Sequence, residues 1–392
     1  MNVTKTQVAV IGAGPVGLFA GLCAAARGLD VCVLDQNWRG YAPGYAALLH
    51  ANSLRLLEEL DLAAPLAKAG RSLKKVAIYV AGAREAELEL DEPVLAIPQR
   101  VLEETLLGAL RSRGVELMAP FQATTIEQGG DHVHVRVLRR ELVTLGSPAH
   151  YSEWEPVEAS MLEADYLVGA DGYESRVRAA LGIEMLEVGS SQSYAMFELA
   201  SDEGDSTIDL GFAGELGTAM IPLPGNRARW GFQIDSALSE VPDGERLRRM
   251  LAERAPWRQG AVGEIDWGTV THFERRLARP FGRKQAWLAG DAAHVTGPFG
   301  GQSMNVGLAE AHGLVERIAC CVEGKKGPET LGQYDAQRQR EWHKLLGCNV
   351  HFDLLPHAPR WLGPVARQIV PALPASGRDL ERLLHKLGLV VR

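Results

Sequence analysis

QVAVIGAGPVG, residues 7–17, is the stretch that decides the fold. It starts as a continuous apolar run of strand length and ends in Gly12, Gly14 and Gly17, which have G-x-G-x-x-G spacing. Residues 16–28 then show the small-residue pattern of a buried helix, and VCVLD (31–35) is a second strand-length apolar run that ends in Asp35. A strand, a helix and a strand in this order predict a β-α-β unit with parallel strands and a right-handed crossover.

The same glycines and the acid predict a ligand. Gly12 makes the tight turn, and Gly14 lets backbone N–H groups approach a pyrophosphate at a helix N-terminus. Gly17 lets the helix pack closely on the strand, and Asp35 accepts a hydrogen bond from a ribose hydroxyl. The set favours an adenine dinucleotide and leaves FAD and NAD both open.

Composition limits the class of protein. The chain has 392 residues, of which 46% are hydrophobic and 23% charged, which is typical of a globular protein long enough for two domains. Its net charge of −8 argues against non-specific binding to nucleic acid or anionic membranes. The five cysteines have no metal-like spacing and predict thiols in a reducing compartment, with no metal site. MNVTKT leads straight into a strand, and the longest apolar stretch, 16–26, is too short to span a bilayer, so we expect a cytoplasmic protein without a transmembrane segment.

Helical and strand patterns divide the rest of the chain. ANSLRLLEEL (51–60) predicts a helix with Asn52 or Ser53 as N-cap, and residues 99–113 predict a second helix closed by Gly114. DHVHVRVL (131–138) alternates with period two, so we expect its histidines on a solvated strand face and not in a metal site.

Residues 186–274 also predict strands, and residues after 305 predict helices. Pro224-Gly225-Asn226 indicates a turn between two strands. The apolar face of the second of these strands (Ala228, Trp230, Phe232 and Ile234) is expected to be mostly buried, with one or two members reaching a pocket. WLGPVARQIVPALP (361–374) is expected to pack on its own domain, although its apolar character also suits docking on another surface.

Two further motifs combine strand ends with glycines. YLVGADGYESRVRAALG (166–182) runs into Gly169-Ala170-Asp171-Gly172 before a helix and, taken alone, fits a plain turn as well as a functional site. In AWLAGDAAHVTGPFGGQSMNVGLAEAHGL (286–314), residues 286–289 form a strand that delivers Asp291 at its C-terminal end, where ligands bind in open α/β sheets. Pro298 stiffens a glycine-rich loop, and the positive end of a helix starting near Ser303 can face a developing negative charge on a bound ring.

Together the three motifs resemble the class A flavoprotein monooxygenases, the single-component FAD aromatic hydroxylases with the para-hydroxybenzoate hydroxylase fold. GAGPVG, GADG and GDAAH…P.GGQ.MN.GL occur in the family's order between about residues 7 and 340. IPQRVLEETLLGALRSRGVEL and LGQYDAQRQREW are similar to the family's connecting segments. The third motif is the most specific.

The resemblance implies site residues. Asp291 is expected to bind the ribityl hydroxyls, Gln99 to lie beside the phosphate or ribityl chain, and Asp171 to take part in FAD and NAD(P)H handling. No catalytic side chain is identified; the flavin-side loop with Pro298, Gly300 and Gly301 is expected to lie nearest the reacting ring. The full set of expected cofactor-binding residues is Gly12, Gly14, Pro15, Val16, Gly17, Asp35, Gln36, Gln99, Asp171, Gly290, Asp291, Pro298, Gly301, Ser303, Met304 and Asn305.

The chain departs from the family pattern at three places. The family usually carries an arginine close to the flavin in the loop after the second strand, and here that loop reads QNWRGYAPGYAALLH (36–50), with residues 44–47 at the matching positions and Arg39 nearby. Ser303 replaces a usual glycine and is acceptable as an N-cap. Glu310 stands where an aspartate is common.

The resemblance also implies a fold and an activity. We predict an α/β (mixed α+β) protein with a Rossmann-like FAD-binding domain (1–75, 99–185 and 275–340), an inserted β-sheet substrate domain (76–98 and 186–274) and a C-terminal helical segment (341–392). The implied enzyme is an NAD(P)H- and O2-dependent monooxygenase, monomer or homodimer, that hydroxylates or epoxidises a hydrophobic aromatic or polycyclic molecule through a flavin hydroperoxide. A reductase or dehydrogenase of the same fold, or a flavin-binding module without turnover, is the alternative.

Overall fold

A computed structural model describes residues 3–37, 44, 47–145, 151–201, 206–235, 243–258 and 263–392 of the chain. The strands of these ranges are β1 (Val3–Ile11), β2 (Val31–Leu34), β3 (Leu48–Leu49), β4 (Arg71–Val80), β5 (Ala83–Ala96), β6 (Leu117–Met118), β7 (Phe121–Gly129), β8 (His132–Leu145), β9 (Tyr151–Gly169), β10 (Glu184–Ala200), β11 (Thr207–Ala213), β12 (Leu216–Leu223), β13 (Arg227–Ile234), β14 (Ile265–Arg279), β15 (Gly282–Arg283), β16 (Ala286–Leu288), β17 (His294–Val295), β18 (Phe352–Leu354) and β19 (Leu389–Val391). The helices are α1 (Pro15–Ala26), α2 (Ala51–Glu58), α3 (Ala63–Ala69), α4 (Gln99–Ser112), α5 (Arg176–Ala180), α6 (Gly244–Arg254), α7 (Gln302–Val322), α8 (Glu329–Leu346), α9 (Leu362–Ala372) and α10 (Gly377–Leu387). Short 3-10 turns lie at Gly290–Ala292 and Phe299–Gly301.

The predicted β-α-β unit lies at the centre of the first sheet. β1 pairs in parallel with β2 on one side and with β9 on the other, and the order β15-β16-β9-β1-β2-β6 is extended by the antiparallel strands β8 and β7. All four residues of β2 are buried, as is typical of a parallel strand that is covered on both faces. α1 packs against α4 and α7, so the first motif is held between the sheet and two helices. The mixed α/β class is confirmed.

The second sheet is built from the strand-rich regions. Its order in the described ranges is β17-β14-β10-β13-β12-β11-β4-β5-β3. β3 and β17 come from segments that the sequence analysis assigned to the FAD-binding domain, so they tie the two sheets together. The division into domains itself stays a prediction.

Predictions for the start of α2 and for one face of β13 were wrong. Helix α2 begins at Ala51 with His50 as N-cap, and no side chain of the described residues caps it; Ser53 lies inside the helix and its hydroxyl donates to Asn305 instead. The four apolar residues of β13 are all buried in a second hydrophobic cluster that includes Leu247 of α6. The opposite face of β13, which carries Arg229 and Gly231, is the one that lines a cavity.

Two other interpretations are confirmed, whereas α6 lies within residues 186–274, where strands were expected. His132 and His134 lie on the solvated face of β8 beside acidic partners on β9, Asp165 and Glu163. The apolar face of α9 is buried in the main core, so the 361–374 stretch packs on its own domain. None of the helices in the described ranges is long and apolar enough to cross a membrane.

Candidate functional site

A cavity of about 1090 Å³ lies where the three motifs meet. This volume is just above the ~300–1,000 Å³ that is usual for small-molecule sites. The cavity is lined by Ala13, Gly14, Pro15, Val16, Asp35, Asn37, Gly44, Gln99, Glu103, Leu107, Arg111, Leu117, Ala119, Ala170, Gly172, Phe273, Asp291, Val295, Thr296, Gly297, Pro298, Gly301, Gln302, Ser303 and Met304. Ten of the sixteen expected cofactor-binding residues are among them.

The glycines of the first motif divide into structural and cavity-facing positions. A Cβ on Gly12 would lie 2.2 Å from the carbonyl oxygen of Ala170, and one on Gly17 would lie 2.0 Å from that of Gly12. These two glycines therefore allow close backbone packing and do not line the cavity. A Cβ on Gly14 would meet no atom within 4 Å, since this residue faces the cavity. No side chain of the described residues caps α1, so its N-terminal end is available to an anionic ligand.

Asp35 is fixed at the edge of this cavity by backbone donors. The Ala13 N–H donates to its Oδ2 at 2.7 Å, and the Asn37 N–H donates to its Oδ1 at 2.8 Å. The carboxylate retains acceptor capacity for a ribose hydroxyl, because two oxygens offer about four lone-pair sites. The side chain of Gln36 is exposed and does not line the cavity; the neighbouring Asn37 does.

One face of α4 runs along the cavity. Gln99, Glu103, Leu107 and Arg111 are spaced four residues apart and all line it. Gln99 donates to Glu103 at 3.0 Å, and its side chain packs on Gly44, where a Cβ would approach it to 2.6 Å. Only Gln99 was predicted from the sequence, although the i, i+4 spacing of this helix was a signal for the other three.

The carboxylate of Asp171, in the second motif, is hydrogen-bonded to the start of helix α5. It accepts from the N–H groups of Arg176 and Val177 at 2.7 and 3.1 Å and from the Ser175 hydroxyl at 2.5 Å. Burial raises the pKa of Asp171, against the lowering effect of these hydrogen bonds. The side chain therefore caps the start of α5, and the neighbouring Ala170 and Gly172 line the cavity in its place.

The third motif forms another wall of the cavity. The Ser303 hydroxyl donates to the carboxylate of Asp291, and both residues line the cavity. Gly300 and Gly301 have φ values of +73° and +66°, a conformation that favours glycine. Gly301 is the N-cap of α7, and no side chain of the described residues caps this helix either. Ser303 is thus the second residue of the helix and a partner of Asp291, not the N-cap.

Asn305 lies behind this wall and forms hydrogen bonds that hold it in place. Its amide group donates to the carbonyl oxygens of Leu48 and Gly301 at 2.8 and 2.7 Å. Its oxygen accepts from the His50 N–H and the Ser53 hydroxyl, both at 2.7 Å. The side chain is fully buried and does not line the cavity, so its contribution is to hold the flavin-side loop against the start of α2.

The loop that departs from the family pattern is partly outside the described residues. Arg39 and residues 45–46 lie there, whereas Gly44 lines the cavity. Arg229 of β13 donates to the Gly44 carbonyl oxygen at 3.1 Å and to Glu198 at 2.7 Å. Its guanidinium also lies 5.3 Å from the centroid of the Trp267 ring. A buried arginine of the second sheet thus contacts Gly44. This contact was not predicted from the sequence, because its partners are 185 residues apart.

A second, small cavity of about 20 Å³ lies between this sheet and the flavin-side loop. It is lined by Ala47, Leu48, Met196, Ala219, Ile221, Arg229, Gly231, Pro298, Phe299 and Gly301. The Phe299 ring fills the space left by two glycines: a Cβ on Gly217 or Gly231 would lie 2.8 or 2.7 Å from it. Tyr194 packs on the same ring edge to face, with centroids 4.9 Å apart.

The large cavity fits a flavin adenine dinucleotide. Bare backbone at Gly14 and the N-terminal end of α1 suit a pyrophosphate, and Asp35 suits a ribose. Asp291 and the N-terminal end of α7 also face the cavity and would suit a ribityl chain and an electron-rich ring. The individual contacts of these residues with FAD stay predictions.

Comparison with known proteins identifies the family. The family model described as FAD binding domain matches residues 5–347. The 6-methylpretetramide 4-monooxygenase of Streptomyces rimosus is 26% identical over 388 residues, covering 96% of this chain and 67% of that protein. The 3-(3-hydroxy-phenyl)propionate/3-hydroxycinnamic acid hydroxylase of Mycobacterium avium (strain 104) is 28% identical over 393 residues, covering 96% of this chain and 63% of that protein. The chain thus spans about two thirds of the length of these relatives.

A solved structure shows the same fold. The p-nitrophenol 4-monooxygenase of Pseudomonas putida DLL-E4 superposes with a TM-score of 0.76 at 20% identity, covering 98% of this chain and 94% of that chain. The chain belongs to the FAD binding domain family, and FAD is its cofactor.

Proposed function

We propose that the chain is an NAD(P)H- and O2-dependent FAD monooxygenase that hydroxylates a hydrophobic aromatic molecule. The observation that carries the proposal is a shared wall: Pro298 and Gly301 line both the cofactor cavity and the small cavity on the second sheet. A substrate in the small cavity would lie across this loop from the ring of FAD. The names of the relatives, two of which are a monooxygenase and an aromatic hydroxylase, support the same reaction class.

The residues of the large cavity hold and orient the cofactor. The N-terminal end of α1 would bind the pyrophosphate, Asp35 the adenosine ribose and Asp291 the ribityl hydroxyls. Gln99 and Gly44, which line the same cavity, would help to hold the cofactor. When bound, FAD supplies the redox chemistry, taking a hydride from the nicotinamide and activating dioxygen. The backbone at the start of α7 would stabilise negative charge on the adjacent ring.

The second sheet supplies the substrate side. The lining of the small cavity is mainly apolar, which favours a hydrophobic ring system and excludes water from the reacting centre. Arg229 is the charged member of this lining; it is already paired with Glu198 and bonded to the Gly44 carbonyl oxygen, so we do not propose that it selects for an anionic substrate. Phe299 fills most of the available space, and a substrate ring would require this side chain to move.

The test is a turnover assay with an oxygen label. Purified protein with FAD is incubated with NADH or NADPH and a panel of phenols, quinolones and polyketide-like aromatics, under ¹⁸O2. We expect at least one compound to stimulate NAD(P)H oxidation and to gain one labelled oxygen atom. A product formed without the label would favour the reductase or dehydrogenase alternative. If no compound of the panel stimulates oxidation, the proposed substrate class is wrong.

A further inference from the structure

Three buried side chains lie directly behind the Gly290–Ala292 turn. His294 belongs to β17, Glu310 to α7 and Trp342 to α8, and all three are fully buried. None of them lines the cofactor cavity. We call this set the Glu310 cluster. It joins the edge of the second sheet to two helices at the point where the third motif delivers Asp291.

Both carboxylate oxygens of Glu310 are used. Oε2 accepts from the Gly290 N–H at 2.9 Å and from His294 Nε2 at 2.8 Å. Oε1 accepts from the Trp342 indole N–H at 2.7 Å. The His294 ring also stacks on Trp342, with centroids 3.8 Å apart and planes inclined by 26°. A buried carboxylate is tolerated only when such donors satisfy it, so the three side chains depend on one another.

Two routes lead from this cluster to the cavity. The first is the backbone: Gly290, held by Glu310, precedes Asp291 and has a φ of +66°. The second is the His294 ring, whose Nδ1 lies 3.5 Å from the Ser303 hydroxyl, which donates to Asp291. The turn is also confined sterically, since a Cβ on Gly290 would lie 3.0 Å from Val16 of α1. The position of the Asp291 carboxylate therefore depends in part on Glu310 and His294, which do not line the cavity.

We infer that the Glu310 cluster is a positioning device for the riboflavin end of FAD, acting through the Gly290 N–H and through His294 and Ser303 on Asp291. The inference rests on FAD being the cofactor and on the placement of Asp291 at the ribityl chain, but not on the reaction proposed above. A failed turnover assay and a failed binding test are therefore separate results.

A comparison of FAD binding with ADP binding distinguishes a positioning role of the Glu310 cluster from a general effect on stability. ADP carries the adenosine and phosphate part of FAD and lacks riboflavin, so it reports on the Asp35 end of the cavity alone. Glu310→Gln keeps the side-chain volume but replaces one acceptor oxygen with an amide NH2 group. At least one of the three N–H donors, on Gly290, His294 and Trp342, then faces another donor and loses its hydrogen bond. Trp342→Phe keeps a ring against His294 and removes the indole N–H together with part of the ring volume, a volume change that the control variant below reproduces elsewhere. Trp230→Phe, a buried tryptophan of the second cluster, is the matched control.

The experiment measures dissociation constants of FAD and ADP for each apoprotein, and the visible circular dichroism of the flavin at saturating FAD. We expect Glu310→Gln to weaken FAD about tenfold or more and Trp342→Phe about three- to tenfold, because a buried hydrogen-bonding group loses its partner. The affinity for ADP should change less than about twofold in both variants. Loss of a direct charge-assisted contact with ADP would instead lower it about tenfold. The flavin dichroism should change in both variants and stay the same in Trp230→Phe.

Equal losses of FAD and ADP affinity would show a general structural role and overturn the inference. Unchanged FAD affinity together with an unchanged flavin dichroism would overturn it as well. If Glu310→Gln does not fold, Trp342→Phe decides, since it removes one N–H group and leaves the buried carboxylate and its histidine partner in place.

Discussion

Gly14 and Gly17, which share one motif, should respond to the same substitution in opposite ways. In Gly17→Ala the new Cβ would lie 2.0 Å from the Gly12 carbonyl oxygen and 2.9 Å from its carbon, so α1 must move away from the first sheet. Such overpacking costs about 1–3 kcal/mol of unfolding free energy, and the obstacle here is backbone. In Gly14→Ala the Cβ meets no atom within 4 Å, and φ is −70°, which alanine adopts freely. As an N-cap glycine, it should lose no more than about 1 kcal/mol.

FAD affinity, in contrast to stability, should be strongly reduced by Gly14→Ala. The methyl group would project into the cavity at the N-terminal end of α1, where the pyrophosphate must approach bare backbone. We expect FAD affinity to fall at least tenfold, equivalent to about 1.4 kcal/mol, while the fold stays intact. Urea unfolding of the apoprotein and quenching of FAD fluorescence on binding measure the two quantities. If Gly14→Ala loses as much stability as Gly17→Ala, or binds FAD as tightly as the original chain, the assignment of this helix end to the cofactor is wrong.

Three further predictions use the polar groups around the cavity. Asp35→Asn should weaken the binding of FAD and of ADP equally, by about tenfold, because it removes the carboxylate that accepts from the Ala13 N–H at 2.7 Å. Unequal losses of affinity would contradict the placement of Asp35 at the adenosine ribose. Asp291→Ala should weaken FAD and leave ADP binding unchanged, and calorimetric titration of both ligands tests this. Burial lowers the pKa of His50 from 6.5 to about 4. Between these two pH values the unfolded chain therefore binds more protons than the folded chain does, and the free energy of unfolding falls as the pH is lowered. From pH 7 to pH 5 the loss should be about 2 kcal/mol in urea unfolding, and His50→Gln should remove this dependence; an identical slope in the variant would refute it.

The sequence was sufficient where structure depends on near neighbours. The β-α-β unit, the long helix after Gln99 and the turn at Gly225 follow from periodicity and from residues a few positions apart. The fold class and the cofactor also followed, because the three motifs keep their order and spacing along the chain. These features need no knowledge of which distant segments touch.

The sequence was insufficient where a contact joins distant segments. Asp171 has the residue type and position of a ligand-binding acid, yet its oxygens are taken by the start of α5. Ser53 has the residue type of an N-cap, yet its hydroxyl meets Asn305, which is 252 residues away. On β13 the alternation correctly predicted which face is core, but not that the opposite face, with Arg229 and Gly231, lines a cavity beside Phe299. Residue type gives the capacity to form a contact, and tertiary structure decides which partner uses it.

The C-terminal segment shows why the site is not contained within the three motifs. Gln302, the first residue of α7, is buried, and its amide donates to the carbonyl oxygens of Leu373 and Ala375 at 2.7 and 3.0 Å. A Cβ on Gly300 would lie 2.3 Å from the Pro371 carbonyl oxygen, so the flavin-side loop rests directly on the end of α9. Because the backbone of this loop must offer its N–H groups in a fixed direction, the segment after residue 346 takes part in shaping the wall shared by the two cavities. The most specific motif of the sequence therefore acquires its geometry from a part of the chain that carries no motif.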